Sequence, residues 1–238
     1  MKIALIGYGK MGKAIEAIAL GRGHEVVLKI DENNLFDFNK ENIDKADVAI
    51  EFTGPHTAYD NIIKLLELGI PAVSGSTGWL DKWDSVEQLC KEKNGAFIYA
   101  SNFSVGVNLF FELNKKLATL MHPHRQYNVS LEEIHHTQKL DAPSGTAITL
   151  AEGVLESYTE KTKWVNDTQP GNDELLIVSK RIDPAPGTHT VQYLSDVDDI
   201  TITHTAHSRE GFALGAVVAA EFLQGKIGIF TMKEVLGL

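Results

Sequence analysis

The sequence predicts two domains, an α/β domain with a mostly parallel sheet followed by a smaller α+β domain with a mixed sheet. Two observations support this fold class. In residues 1–103 short apolar runs alternate with stretches of helical periodicity, which is typical of parallel strands joined by right-handed crossovers. After residue 174 three strand-like runs follow one another with short connections, which favours antiparallel neighbours. A chain of 238 residues is long enough for two such domains.

The first domain begins with KIALI, a short apolar run that predicts a buried strand, and its later strands are runs of the same kind. Apolar residues at helical spacing separate these strands, and a glycine ends the first helix. Residues 31–45 are polar and are predicted to be irregular, so that one strand–helix unit is shortened. The predicted strands are 2–6, 26–30, 46–52, 71–75 and 96–100, and the predicted helices are 11–23, 56–69 and about 81–94.

The second half of the chain contains longer strands. The run 198–207 alternates Ile200 and Ile202 with Thr201 and Thr203, which is the period of a strand with two different faces. The residues alone leave open whether the last helix packs on the first domain. Helices are predicted at 105–121, 145–160 and 211–226, and strands at 127–137, 174–182, 187–195 and 198–207.

Composition excludes several classes of function. The formal net charge is −10, which argues against nucleic acid as a partner, since phosphate binding requires a basic surface. No apolar run reaches the roughly 18–20 residues that span a bilayer, so no membrane partner is expected. The N-terminus is interpreted as a strand and not as a signal peptide. Cys90 is the single cysteine, which fits a reducing cytoplasm, and we expect a cytoplasmic protein.

A glycine turn follows the first strand and precedes the first helix. It has the spacing G-x-G-x-x-G, with Gly7 for the tight turn, Gly9 for close approach of a pyrophosphate and Gly12 for helix packing. The helix N-terminus supplies N–H groups for phosphates. Asp31 directly follows the second strand, about 20 residues after the turn, where an acid holds ribose hydroxyls. The pattern predicts a Rossmann-like dinucleotide-binding domain.

The residues around Asp31 indicate which dinucleotide is bound. Glu32, Asn33 and Asn34 follow it, and none of them is an arginine that could pair with a 2′-phosphate. Like charge would repel that phosphate, so we expect NADH to be preferred over NADPH. Lys10 and Lys29 lie near in sequence and could weaken the preference.

Three further loops follow predicted strand ends, where open α/β sheets bind ligands. They are 51–54 (Glu-Phe-Thr-Gly), 75–78 (Gly-Ser-Thr-Gly) and 100–103 (Ala-Ser-Asn-Phe). Each could be an ordinary turn, but together they are predicted to line one edge of a crevice.

The stretch 133–147, EIHHTQKLDAPSGTA, carries the second group of chemical residues. In a strand His135 and His136 point to opposite faces, which argues against one shared metal ion, and no metal is expected. Neither a G-x-S-x-G elbow nor a P-loop occurs. The remaining interpretation is an acid–base pair, His135 and Lys139, beside an anion cradle in which Ser144-Gly145-Thr146 opens a helix. An N-capped helix after a strand with exposed histidines is the plainer alternative.

This stretch resembles the E-x-H-H-x-x-K-x-D-x-P-S-G-T-A signature of the 4-hydroxy-tetrahydrodipicolinate reductase (dihydrodipicolinate reductase) family. The glycine turn and the runs at 51–53, 75–78, 101–108 and 207–217 occur in the order of that family. The resemblance implies NAD(P)H-dependent reduction of a cyclic dicarboxylate with loss of water, in lysine and diaminopimelate biosynthesis. It also implies a homotetramer built by the second domain, 104–210. The C-terminal segment 211–238 would then pack on the first domain, 1–103.

The resemblance also implies individual roles. His135 and Lys139 would be catalytic, and the sequence does not decide which of them delivers the proton. Substrate would be bound by His136, Ser144, Gly145 and Thr146. The dinucleotide would be bound by Gly7, Tyr8, Gly9, Lys10, Met11, Gly12, Asp31, Phe52, Thr53, Gly75, Ser76, Thr77, Ala100, Ser101, Asn102 and Phe103.

Two positions depart from the usual family pattern. Glu51 stands where Asp is common, and Ser101 stands where Pro is common; both changes are expected to be tolerated. Two other functions are weighed against the reductase. An aspartate or homoserine dehydrogenase would share the first domain, and an NAD-sensing regulator would keep only that domain. Neither explains His135, Lys139 and the Ser-Gly-Thr turn together.

Overall fold

Six parallel strands form the sheet of the first of two units in the computed structural model, which describes residues 1–238. The first unit comprises Met1–Val105 and Arg209–Leu238, and the second comprises Gly106–Ser208. The strands of the first unit are β1 (Lys2–Ile6), β2 (Glu25–Ile30), β3 (Val48–Glu51), β4 (Ala72–Ser74), β5 (Ala96–Tyr99) and β11 (Gly228–Phe230), in the spatial order β11-β5-β4-β3-β1-β2.

Helices cover both faces of this sheet, which explains why its strands are continuous apolar runs. Ile3 and Leu5 of β1 face one core cluster, whereas Ala4 and Ile6 face the other. The first cluster contains α1 (Lys10–Gly21), α7 (Glu210–Phe222) and α8 (Met232–Leu236), and the second contains α2 (Lys40–Ile43), α3 (Ala58–Glu67) and α4 (Trp83–Glu92).

The prediction that 31–45 is irregular was incomplete. Residues Leu35–Asp37 form a 3-10 turn, and α2 follows it. The side chain of Asn39 accepts a hydrogen bond from the backbone N of Asn42 and caps this short helix. Phe38 and Ile43 are buried and anchor the segment to the core. Local capping and two apolar side chains therefore order a stretch whose composition is polar.

The C-terminal segment differs more from the prediction. The helix predicted at 211–226 ends at Phe222, and the strand β11 and the helix α8 follow it. Gly225, in the connection after the helix, and Gly228, at the start of β11, have φ of +71° and +125°, values that favour glycine. The strand β11 has only three residues, too few to show a sequence period.

A mixed sheet of five strands forms the second unit. Its strands are β6 (Asn128–His135), β7 (Lys163–Asn166), β8 (Glu174–Arg181), β9 (Gly187–Leu194) and β10 (Asp199–Ala206), in the order β10-β9-β6-β8-β7. β6 and β7 both run parallel to β8, whereas β9 is antiparallel to β6 and to β10. The short strand β7 was not predicted from the sequence.

One face of this sheet packs against helices of its own unit. The core contains Phe110 and Ala118 of α5 (Val105–Met121), Leu150 and Val154 of α6 (Gly145–Leu155), and Tyr193 of the sheet. α6 ends at Leu155, earlier than the predicted residue 160. No helix of the structure combines the length and the apolar character needed to cross a membrane.

Candidate active site

The glycine turn after β1 has the geometry of a phosphate-binding turn. Gly7 has φ of +101°, and a Cβ there would lie 2.1 Å from the carbonyl oxygen of Phe52. A Cβ on Gly12 would lie 2.4 Å from the carbonyl oxygen of Gly7. Gly9 is the N-cap residue of α1, and a Cβ there would meet open space. The turn is therefore closed on its protein side and open at Gly9, as a pyrophosphate requires.

A cavity of about 570 Å³ opens at the carboxyl ends of β1, β2 and β3, beside this turn. Open α/β sheets bind ligands at this edge. Its lining contains two acids from the end of β2 and one from α3, and no lysine, arginine or histidine. The lining residues are Ile6, Gly7, Tyr8, Gly9, Ile30, Asp31, Glu32, Asn33, Leu35, Phe52, Thr53, Thr57, Asp60 and Asn61.

The two lysines near the glycine turn in sequence, Lys29 and Lys10, are placed differently. The Nζ of Lys29 lies 3.1 Å from Glu16 and 4.9 Å from the ring centre of Tyr8. Tyr8 donates its hydroxyl hydrogen to the same Glu16 carboxylate. Lys29 is thus neutralised by a neighbour on α1. Lys10 is the first, exposed residue of α1 and does not line the cavity.

A buried carboxylate joins two of the predicted loops. Glu51, the last residue of β3, is fully buried. It accepts hydrogen bonds from the hydroxyls of Ser74 and Ser76 at 2.6 and 2.8 Å, and from the backbone N of Thr53 at 2.9 Å. The Thr53 hydroxyl also donates to it. Glu51, which stands where the resemblance leads us to expect Asp, therefore accepts hydrogen bonds at both of its carboxylate oxygens.

Two other predicted dinucleotide residues, Gly75 and Phe103, lie next to the ring of Phe52. A Cβ on Gly75 would lie 2.1 Å from that ring, so only glycine fits there. Phe103 is buried, with its ring centre 5.8 Å from that of Phe52. Predicted residues that do not line the cavity are Lys10, Met11, Gly12, Gly75, Ser76, Thr77, Ala100, Ser101, Asn102 and Phe103.

His135 is the last residue of β6 and is buried, with its Nδ1 inside the protein. The alternation of β6 turns Val129, Leu131 and Glu133 to the same, buried face. The strand ends before His136, which is half-buried and lies in the following turn. The prediction that both histidines lie in one strand was wrong for His136, since only His135 belongs to β6.

Glu133 is completely buried beside His135 and is surrounded by donors. Its carboxylate accepts from the backbone N of Ser144 at 3.1 Å, from the Ser179 hydroxyl at 2.8 Å and from Arg181 at 3.3 Å. Burial alone would raise the pKa of this carboxyl, but the contacts with His135, Ser144 and Ser179 outweigh it and hold the pKa far below its usual range. Glu133 is therefore an anion at any pH where the protein functions.

His189 on β9 completes this cluster. Its Nε2 lies 3.1 Å from the Ser144 hydroxyl and 3.8 Å from Glu133. Burial, with a smaller effect of the charge on His135, lowers the pKa of His189 to about 4, so the ring is neutral near pH 7.

The cluster of Glu133, His135 and His189 also has the composition of a metal site, with one potential ligand atom from each lying within 4.8 Å of the others. The sequence predicts no metal here. Arg181 contacts the same carboxylate, and its fixed positive charge opposes the binding of a cation. Hydrogen bonds and this ion pair already account for the position of Glu133.

Lys139 and the start of α6 follow His135 along the chain. The Nζ of Lys139 lies 2.8 Å from both carboxylate oxygens of Asp141. This contact lowers the pKa of Asp141. Ser144 is buried and caps α6, since its hydroxyl accepts from the backbone N of Ala147 at 3.2 Å. Gly145 is exposed, and nothing lies within 4 Å of the position of a Cβ. The predicted anion cradle is thus a capped helix N-terminus with open space at Gly145.

Several residues of these sites were missed from the sequence. Thr57 is the N-cap residue of α3, and Asp60 and Asn61 follow in that helix, several residues after the end of β3, so the strand-end rule that found Phe52 does not reach them. Glu133 could have been found as an acid on the apolar face of an alternating strand. Its partners come from distant strands, and no local pattern marks them. The missed residues of the second unit are Glu133, Ser179, Arg181 and His189.

A glycine turn with the geometry of a phosphate-binding turn, an acid directly after β2 and a cavity at the strand ends are typical of an NAD(P)H-dependent oxidoreductase. A family model described as "Dihydrodipicolinate reductase, N-terminus" matches residues 1–103, and one described as "Dihydrodipicolinate reductase, C-terminus" matches residues 106–236. The chain belongs to the dihydrodipicolinate reductase family. The predictions of fold class, enzyme class and family are confirmed.

Two relatives agree with this assignment, and two solved structures share the fold. The 4-hydroxy-tetrahydrodipicolinate reductase of Christiangramia forsetii is 54% identical, over 99% of this chain and 98% of that protein. The one from Neisseria meningitidis is 33% identical, over 94% and 84%. The structure of a dipicolinate-bound dihydrodipicolinate reductase from Paenisporosarcina sp. TG-14 has a TM-score of 0.78 at 23% identity, covering 98% of both chains. An amine dehydrogenase from Mycobacterium smegmatis, with a TM-score of 0.61 at 10% identity over 98% and 95%, shares the fold alone.

Proposed function

We propose that His135 and Lys139 form the acid–base pair of this enzyme, which reduces 4-hydroxy-tetrahydrodipicolinate to tetrahydrodipicolinate with loss of water, in lysine and diaminopimelate biosynthesis. One observation carries the assignment. A buried histidine at the end of β6 is followed by Lys139 and by the capped N-terminus of α6, so acid, cation and anion cradle come from one short segment.

Dinucleotide binding is assigned to the first unit, residues 1–103 with 211–238. The turn from Gly7 to Gly12 fits a pyrophosphate, because a Cβ would clash at both ends but not at Gly9. Asp31 lines the cavity and would hold the ribose hydroxyls. The nicotinamide, when bound, supplies the hydride. The loops with Phe52–Thr53, 75–77 and 100–103 are assigned to its side of the site.

NADH is the preferred cofactor in this proposal. The cavity lining has Asp31, Glu32 and Asp60 and no basic side chain, so a 2′-phosphate would meet only negative charge. Lys29 is held by Glu16 and would not offset this repulsion. NADPH is expected to be used less efficiently.

Substrate binding is assigned to residues 104–210. The substrate is a dianion and the chain carries a net charge of −10, so binding depends on local positive groups. Lys139 supplies a full charge, and the N-terminus of α6 at Ser144, Gly145 and Thr146 supplies a partial charge with N–H donors. His136 is placed to contact the substrate from the turn after β6. The proposal requires that one carboxylate of the substrate binds at the N-terminus of α6.

Catalysis by this chain is acid–base chemistry at the substrate. Hydride adds to one carbon of the substrate. The carbon next to it must then receive a proton, which His135 or Lys139 delivers. A buried imidazole is shielded from bulk water, which favours controlled delivery. A comparison of the pH profiles of the His135→Gln and Lys139→Ala variants would show which of the two residues delivers the proton.

A coupled assay tests the function. Pyruvate and aspartate semialdehyde, with the synthase that condenses them, generate the substrate, and oxidation of NADH is followed at saturating cofactor. His135→Gln and Lys139→Ala should each lower kcat by about 10²–10⁴-fold. The exposed His56→Gln variant serves as the control and should keep the wild-type rate. No oxidation above background by the wild type, or wild-type rates in both site variants, would refute the proposal.

We further propose a homotetramer assembled through the second unit, in the cytoplasm. Ile200 and Val197 near β10 are 38% and 89% exposed, which supports an interface along this edge of the sheet. Light scattering coupled to size-exclusion chromatography would give the mass, to be compared with 26.2 kDa for one chain. A monomer at assay concentrations would contradict this assembly. Cytoplasmic location stays a prediction from the single cysteine.

A further inference from the structure

We propose that Glu133 is a positioning residue that keeps Nδ1 of the His135 ring directed at its carboxylate, so that the proton given to the substrate leaves from Nε2. The inference rests on the proposed role of His135 and adds the group that orients it. Glu133 itself touches neither substrate nor cofactor in this proposal.

The two oxygens of Glu133 face different partners. Oε1 accepts from the Ser179 hydroxyl and Arg181, at 2.8 and 3.3 Å. Oε2 lies 3.3 Å from Nδ1 of His135 and shares the Ser144 backbone N with Oε1. One oxygen is therefore fixed by the sheet, and the other is directed at the catalytic ring.

Nδ1 of His135 has one suitable acceptor within reach. It is buried, and at the present ring angle it makes no hydrogen bond in spite of the 3.3 Å separation from Oε2. The terminal torsion of histidine has a broad energy minimum, so a small rotation aligns the N–H with the carboxylate. A buried N–H without a partner costs about 1–3 kcal/mol, which favours that alignment.

The surroundings of the ring fix which nitrogen faces outward. His189 packs edge-on against it, with ring centres 5.0 Å apart, and its own Nε2 is occupied by the Ser144 hydroxyl. Gly187 lies on the opposite edge, where a Cβ would be 3.1 Å from Nε2 of His135. Glycine at this position leaves the Nε2 edge free of a side chain. Nδ1 of the ring is thus directed at Glu133, and no side chain from position 187 lies against Nε2.

The chemical consequence is a defined proton path. In the transfer step the Nε2–H bond breaks and the proton joins the carbon next to the one that received hydride. The electron pair for the new C–H bond comes from the enamine left by hydride addition. The imidazole becomes neutral and keeps its other proton on Nδ1, against Glu133. A carboxylate in this place also stabilises the charged ring before transfer.

The test uses Glu133→Gln and Glu133→Asp, with Glu132→Gln as the matched control. Glu132 is the neighbouring residue of β6, on the other face, and its carboxylate lies 2.6 Å from Lys180. Glu133→Gln should lower kcat by about 10- to 100-fold, the loss that follows mutation of carboxylates that orient metal-bound histidines. It should also move the fall of kcat at high pH to lower pH, because the charged ring is less stabilised. KM for NADH should be unchanged, and Glu133→Asp should recover part of kcat.

A double-mutant comparison separates this proposal from the role of His135 itself. In a His135→Gln background, Glu133→Gln should cause no further loss, since its effect acts through the ring. An equal loss in both backgrounds, or an unshifted pH profile, would overturn the positioning role. A wild-type rate in His135→Gln would instead remove the role of His135 on which this inference rests, and would leave the reductase activity itself to the coupled assay. If Glu133→Gln fails to fold, the pH profile of Glu133→Asp decides, because a shorter carboxylate further from Nδ1 must also shift it.

Discussion

The hydroxyl of Ser76 donates a 2.8 Å hydrogen bond to the carboxylate of Glu51, and both side chains are buried at neighbouring strand ends. Ser76 also accepts from the backbone N of Thr53 at 2.8 Å. The loop after β3 is thereby tied to the loop after β4 by two buried side chains. Since Phe52 and Thr53 line the cavity, the shape of the cofactor site depends on this pair.

Replacing Glu51 by Gln should weaken cofactor binding and stability together. Gln offers one acceptor oxygen and places an NH₂ group among donors, and the N–H of Thr53 cannot reverse its role. An unsatisfied buried donor costs about 1–3 kcal/mol in the free energy of unfolding. KM for NADH should rise more than kcat falls. Urea unfolding and steady-state kinetics measure the two effects.

The control for this variant is Glu67→Gln, which changes an exposed carboxylate on α3 of the same unit. It should leave both quantities within error of the wild type. Glu51→Asp keeps the charge and should lie between the wild type and Glu51→Gln. A Glu51→Gln protein as stable as the wild type, with the same KM for NADH, would show that the network has no such role.

Much of the fold follows from the sequence because its signals are local. The strand β1 and helix α5 were predicted with correct bounds, since a short apolar run next to glycines and a long apolar period are strong patterns. The short strands β7 and β11 were missed because three or four residues show no period. They exist because neighbouring strands offer them hydrogen bonds, which is information outside the segment itself.

The candidate site was predictable to the extent that its residues lie in motifs. Gly7, Gly12 and Asp31 follow from one spacing rule, and their geometry agrees with it. The partners of Glu133 could not be predicted, because Ser179 and Arg181 come from a strand more than forty residues further along the chain, about the length of a βαβ unit or more. Pairing of distant strands, and not local composition, creates that buried cluster.

Gly12→Ala should disrupt the phosphate turn. The added Cβ would lie 2.4 Å from the backbone oxygen of Gly7, which cannot move aside as a flexible side chain would. Overpacking of this kind costs about 1–3 kcal/mol, and the displaced turn should raise KM for NADH by at least about tenfold.

Gly21→Ala is the matched control in the same helix, because nothing lies within 4 Å of its Cβ position. The control should bind NADH normally and be equally or more stable, by up to about 1 kcal/mol. Equal KM values in the two variants would contradict the assignment of this turn.

Asp31→Ser should reduce the preference for NADH. The carboxylate lines the cavity, and its removal takes away a negative charge that would repel a 2′-phosphate while also removing a ribose ligand. The ratio of kcat/KM for NADPH to that for NADH should increase about tenfold, equivalent to about 1.4 kcal/mol. Asp84→Ser, an exposed acid at the start of α4, should leave the ratio unchanged. A ratio unaffected by Asp31→Ser would place the discrimination elsewhere.

Stability should fall between neutral pH and about pH 4 because of His189. Burial lowers the pKa of His189 from 6.5 to about 4, so over this interval the unfolded chain binds a proton that the folded protein does not. The free energy of unfolding therefore decreases as the pH drops through this interval, by at most about 3 kcal/mol. Glu133 adds to this loss only near the lower end of the interval, where the unfolded carboxyl, with an ordinary pKa of 4.5, begins to bind a proton that the folded carboxyl does not. Urea unfolding at pH 7, 6 and 5 should give a smaller slope for His189→Gln, whereas the exposed His56→Gln should keep the wild-type slope. Identical slopes for the wild type and His189→Gln would show that His189 is not the group that titrates.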